Sequence, residues 1–190
     1  MRTLILFICF QIGLVANAQE IKADKTAVGG GRFIVVSRTA FGENTDKYSN
    51  SVELTYLTTG DGGEQMYIMN LHLKRDKCLS IESGRVILFK LLNGEVIESK
   101  VNDIDDTSAE NRLQRVLGHY DVYLTGFYVY LSSAQFKSIV NGEITKIRVE
   151  TADSNEDILI ANNSFSDLLA KCNDLIEEKL KEKRNVYDNF

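Results

Sequence analysis

The sequence predicts an α+β fold: a mainly antiparallel β-sheet built from hairpins, with a C-terminal amphipathic helix packed on one face. Three observations predict it. Short apolar or alternating runs recur with glycine- and asparagine-containing turns between them, which is hairpin patterning. A stretch near the C-terminus, Phe165 to Leu180, carries apolar residues at helical spacing. Helical segments fall late in the chain rather than alternating with strands, so regular βαβ units are not indicated.

The first segment reads as an address. Met1-Arg2 precedes an apolar run from Leu4 to Val15, and Ala16-Asn17-Ala18 supplies a small-x-small cleavage pattern. This is the layout of a secretory signal peptide, residues 1–18. The apolar run is shorter than the roughly 20 residues a spanning helix needs. Residues 19–31 are polar and end in Gly29-Gly30-Gly31, which predicts a flexible leader. Residues 32–184 then form a single α+β domain, and 185–190 a frayed tail.

Within the domain, Phe33-Ile34-Val35-Val36 predicts a first strand. Val52 to Thr59 and Met66 to Lys74 predict a hairpin around Gly60-Asp61-Gly62-Gly63. Cys78 to Ile81 reads as a short strand. Arg85 to Leu92 and Glu95 to Val101 flank Asn93-Gly94, a pair that favours a two-residue type I′ turn. That turn would set Leu91 opposite Val96 and Phe89 opposite Glu98. Val86 to Leu92 is apolar on both faces apart from Lys90, as in a central strand. Ala109 to Leu117 predicts a helix on the spacing of Leu113, Val116 and Leu117.

Tyr120 to Leu131 returns to strand composition. Ser132 and Gln135 have capping-box spacing for a short helix to Val140, which Asn141-Gly142 stops. Ile144 to Thr151 and Asp157 to Ala161 predict a last hairpin. In the final helix Phe165, Leu168, Leu169, Cys172, Ile176 and Leu180 form the apolar stripe, and Lys171, Glu177, Glu178, Lys181 and Glu182 the polar face.

Composition narrows the chemistry. The chain has 190 residues, 44% of them apolar, with 3 Cys, 2 His, no Trp and no Pro. Three cysteines rule out a disulfide-dense miniprotein and a zinc site built on a cysteine quartet. Removal of residues 1–18, which hold one basic residue and no acidic one, leaves 172 residues and a net charge of −6. A chain of that size buries about 70% of its unfolded surface and needs no staple. An acidic balance disfavours nucleic acid and anionic membrane as partners. No later apolar stretch is long enough for stable membrane insertion after cleavage. Cys78 and Cys172 remain. An exported setting permits a disulfide between them, whereas the place of Cys172 on the apolar stripe favours separate thiols.

Catalytic signatures are scarce. A serine triad needs a histidine base, and only His72 and His119 are present, with no G-x-S-x-G elbow. His72 alternates with Leu71 and Leu73, which predicts an exposed strand residue. Asp103, Asp105 and Asp106 have oxygens for calcium, but the loop lacks the glycine and glutamate of an EF-hand. No histidine pair has zinc-ligand spacing. Gly29-Gly30-Gly31 lacks the Lys-Ser/Thr that follows a phosphate loop. Asn162-Asn163-Ser164 matches the glycosylation acceptor pattern.

The most distinctive feature is aromatic: Tyr120, Tyr123, Phe127, Tyr128 and Tyr130 share one predicted strand. Tyrosine joins an apolar ring to a hydroxyl, which suits an interface or a sugar-stacking surface. Alternation puts Tyr128 and Tyr130 on one face and Tyr123 with Phe127 on the other.

The stretches Leu79-Ser80-Ile81 with Val86 to Val96, and Tyr130 to Phe136 with Gly142 to Thr151, resemble a pattern in small exported bacterial proteins of unknown function. The resemblance covers about a third of the chain. It implies a Gram-negative envelope setting and carries over no activity and no functional residue.

The sequence therefore predicts a periplasmic or secreted, non-enzymatic binding domain with no cofactor and no metal. Tyr123, Tyr128 and Tyr130 are its candidate ligand-binding residues, and its partner is a protein or glycan of the envelope or exterior. The alternative is a glycan- or cell-wall-directed hydrolase using paired carboxylates.

Overall fold

A computed structural model describes residues 19–26, 30–42, 48–60, 63–102, 110–116, 120–160 and 164–182, with backbone alone for 110–116, 120 and 121. The strands are β1 (Ile21–Thr26), β2 (Arg32–Phe41), β3 (Ser49–Thr58), β4 (Gln65–Arg75), β5 (Val86–Leu91), β6 (Val96–Asn102), β7 (Glu110–Val116), β8 (Tyr120–Ser132), β9 (Ile144–Glu150) and β10 (Asn155–Leu159). The helices are α1 (Ser133–Asn141) and α2 (Ser164–Lys181). The architecture is α+β. Every described strand pairing is antiparallel, in the order β1-β2-β3-β4-β8-β6-β5-β9-β10, with β7 also on β8.

The long strand β8 makes this order possible. One edge pairs with β4 along its length, from Tyr123 to Ser132. Its other edge is shared: β7 takes Tyr120 to Gly126, and β6 takes Tyr128 and Val129. Within β8, Phe127, Val129 and Leu131 are almost fully buried. They join one apolar core with Ile34, Leu54, Met69 and Leu71 from the first strands and with Phe89, Ile147 and Val149 from the last.

The helix α2 closes this core. Its buried residues are Phe165, Ser166, Leu168, Leu169, Cys172 and Ile176: the stripe expected from the spacing, except that Leu180 is only partly buried against the core, plus one serine. Phe165 stacks at a tilt on Phe41 with ring centroids 4.4 Å apart. Tyr67 lies flat against Phe136 of α1 at 3.8 Å and donates its hydroxyl to Asn173 Oδ1 of α2 at 3.0 Å. Buried Ser166 ties three segments together: its Oγ accepts from the Ile144 amide at 3.0 Å and donates to the Ile139 carbonyl at 3.2 Å.

Side-chain contacts also join the end strand β10 to the first half of the sheet. Among the described residues no backbone ladder joins β10 to β2 or β3, yet β10 comes close enough that a Cβ on Gly42 would meet the Leu159 carbonyl at 3.8 Å. Side chains span the gap. The Arg75 guanidinium of β4, 6% exposed, donates through Nε to Glu156 of β10. Its remaining nitrogens reach Asn50 Oδ1 at 3.0 Å, the Lys74 carbonyl at 2.8 Å and the Ser49 carbonyl at 3.4 Å. Tyr48 lies over the same group at 5.7 Å. A buried cation is tolerated only when its donors are met in this way.

Five local expectations are corrected. Within the expected flexible leader 19–31, Ile21–Thr26 is edge strand β1 on β2. Its polar residues are held by pairing: Lys22 with Glu53 at 2.7 Å, and Asp24 with the Arg32 fork at 3.0 and 2.7 Å. A Cβ on Gly31 would stand 1.8 Å from the Thr58 carbonyl, so this glycine serves a close backbone crossing. Cys78 to Ile81 is not a strand, although Leu79 and Ile81 are buried.

Residues 110–116 are strand β7 rather than a helix, because pairing with β8 overrides a three-residue apolar spacing. The β5–β6 hairpin is shifted by one residue: Lys90 faces Val96, and Leu88 faces Glu98. Gly94 has φ +87° and Asn93 is not in the left-handed region, so a type I′ turn is excluded. Leu92, Asn93 and Gly94 form a three-residue loop in which Leu91 N donates to Glu95 O at 2.9 Å and Asn93 Oδ1 accepts from Glu95 N at 2.9 Å.

The α1 capping box between Ser132 and Gln135 is present as expected. Its stop differs, because Glu143 rather than Asn141 or Gly142 takes the positive φ, at 51°. Gly142 is required by space: a Cβ there would stand 2.4 Å from Leu91 Cδ1.

Arg75→Met should cost about 3 kcal/mol or more, because it strands the Glu156 carboxylate and the Asn50 carbonyl at a mostly buried seam. Urea denaturation reads it. A change of a few tenths would mean that the seam does not depend on this cation.

Candidate functional site

The pairing registers settle where the candidate tyrosines go. Tyr128 and Tyr130 alternate with buried Phe127, Val129 and Leu131, so they emerge on the sheet face opposite the core. Both are half-buried. Tyr123, also half-buried, falls on the core-side parity of β8, where it pairs with Arg75. The structure thus brings Tyr128 and Tyr130 together and leaves Tyr123 apart.

The tyrosine neighbours come from three strands. Tyr128 is flanked by Asn70 on β4 and Asn102 on β6. Tyr130 faces Ile68, which is 8% exposed. One pair further along β8, His72 faces Gly126. His72 is half-buried with its Nε2 shielded from solvent, rather than exposed as its alternation with leucines predicts. Gly126 makes room for the imidazole, since a Cβ there would come within 3.0 Å of His72 Nδ1. Asn70, Asn102 and His72 carry no signal in the sequence, and only the register places them beside the rings. Two rings edged by carboxamides offer apolar contact together with donors and acceptors, the combination that peptide or sugar ligands need.

The other sequence candidates separate. The acidic residues 103–106 and His119 lie outside the described residues. Among the described residues no group of three or more His, Cys, Asp or Glu side chains is placed to hold a metal. Cys78 is exposed and Cys172 buried, and they are not bonded. Burial pushes the Cys172 thiol up to about 12, so it stays protonated and inert. Burial likewise raises the Tyr67 phenol to about 12.

Several described carboxylates are held by cations. Asp157 accepts from Arg148 Nε at 2.6 Å, Arg148 Nη2 at 2.7 Å and Lys146 Nζ at 3.2 Å. The Arg148 hydrogen bonds hold its carboxyl down at about 2. A general acid in glycoside hydrolysis needs a shift in the opposite direction. Glu156 and Asp24 are bound in the same manner by Arg75 and Arg32. Among the described residues no helix is long and apolar enough to cross a membrane. No family model matches the chain, and no curated protein or solved structure matches it.

Two outcomes follow from these groups. Native protein should expose one rapidly reacting thiol, Cys78, while denatured protein cleaved after Ala18 should titrate two and uncleaved protein three. Reaction of Cys172 at the native-state rate of Cys78 would contradict its burial. Asp157 binds its proton more weakly when folded, so its stabilisation is present above its ordinary value near 3.8 and fades as pH falls toward 2. Asp157→Asn should therefore flatten the fall in melting temperature between pH 4 and pH 2. An unchanged slope would contradict the pairing.

Proposed function

We propose that this chain is an exported, periplasmic or secreted, non-enzymatic binding domain that takes a protein or glycan partner on the sheet face around Tyr128 and Tyr130. The observation that supports the reading is the placement of both rings side by side, edged by Asn70 and Asn102, on the face opposite α2. Export is supported by the layout of residues 1–18. The paired-carboxylate alternative gains no support from the described acidic groups, because the best-defined ones are committed to arginine and lysine.

Tyr123, Tyr128 and Tyr130 are tested by alanine substitution, one at a time and in the Tyr128/Tyr130 pair. Each variant is assayed for capture of envelope proteins and on a glycan array, with a thermal melt as the folding control. Losing two clustered aromatic contacts should weaken capture at least about tenfold in the pair. Tyr123→Ala should act through stability alone. Unchanged capture in all the variants would reject this site.

A further inference from the structure

A different corner of the same sheet face carries the next inference. The registers lay out one row across four strands: Val96 opposite Lys90, Lys90 opposite Lys146, and Lys146 opposite Leu159. In the adjoining row Leu88 faces Arg148. Leu88, Lys90, Val96, Lys146 and Arg148 line a shallow depression of about 130 Å³. Val96 and Leu159, at the two ends of the row, are 50% and 74% exposed.

This row works against stability. Directly opposed like charges weaken an antiparallel pair, and exposed aliphatics gain nothing from water. Compensation is partial: Asp157 engages Arg148 and Lys146, but Lys90 has no carboxylate partner among the described residues. Asp157 also fixes the Arg148 fork and leaves its Nη1 uncommitted to that carboxylate. Against these three cations stand Asp157 and, opposite Leu88, Glu98, so the depression keeps a small positive excess beside the apolar Leu88 and Val96.

We propose that this corner docks on the phosphate headgroups of an anionic lipid surface, with Lys90 and Lys146 meeting phosphate and Val96 and Leu159 resting at the headgroup–acyl boundary. Lysine is depleted in protein–protein interfaces, where aromatic residues and arginine are enriched. The fork of Arg148 is already taken by Asp157, and the row itself has two lysines, two aliphatics and no ring, which favours lipid over a protein partner. Each lysine near an anionic surface adds a modest attraction. The chain as a whole has net charge −5, so other orientations are repelled and docking is weak and directional.

The test is sedimentation of the purified chain with vesicles of phosphatidylcholine, with and without phosphatidylglycerol, at low and high salt. Binding should require phosphatidylglycerol and fall with salt. It should weaken about fivefold in each of Lys90→Gln and Lys146→Gln, and also in Leu159→Ser, with melting temperatures as folding controls. Tyr128→Ala should leave it unchanged, which separates this proposal from the tyrosine site. Several results would overturn it: no binding to anionic vesicles, binding indifferent to both lysine variants, millimolar inorganic phosphate displacing the vesicles, or retention on polyglutamate but not on lipid.

Discussion

The pairing of β8 on both of its edges is the constraint on which the rest depends. One edge holds β4 over ten residue pairs, and the other is divided between β7 and β6. Through β6 the first strands are joined to β5, β9 and β10, so both ends of the sheet reach one core. Strand alternation then determines the two faces together: what sends Phe127, Val129 and Leu131 inward also sends Tyr128 and Tyr130 outward. Core and candidate site are thus two consequences of one register.

The helix and the arginine seam act on that frame. Burial of Phe165, Leu169, Cys172 and Ile176 covers the inner face and adds apolar burial to the core the strands form. Arg75 contributes specificity of shape, since it ties the paired strands β3 and β4 to β10, which no backbone ladder does among the described residues. A guanidinium with its forked donors meets one carboxylate, one carboxamide and two carbonyls in a fixed geometry. The outer face has no comparable cover among the described helices, and Tyr128 and Tyr130 are half-buried on it.

Legibility in the sequence follows how local each cause is. The stripe of α2, the Ser132–Gln135 box and the β3–β4 hairpin rest on spacings within one or two elements, and they read through. β1 does not, because an edge strand of Lys, Asp and Thr looks like linker until Glu53 and Arg32 are known to face it. β7 reads as helix because Leu113 and Val116 fit helical spacing as well as a strand. The Asn93-Gly94 turn is identified, but its register depends on whether one or two residues take positive φ. The tyrosine split is visible from parity alone, whereas Asn70, Asn102 and the Lys90–Lys146 row appear only once strands distant in sequence are paired.

Cross-strand nuclear Overhauser contacts between β4 and β8 test the account most directly. The described register predicts contacts joining the backbone of Asn70 with that of Tyr128, and of Ile68 with Tyr130. A set displaced by one residue, joining Asn70 with Val129, would turn both tyrosines into the core and contradict the binding face.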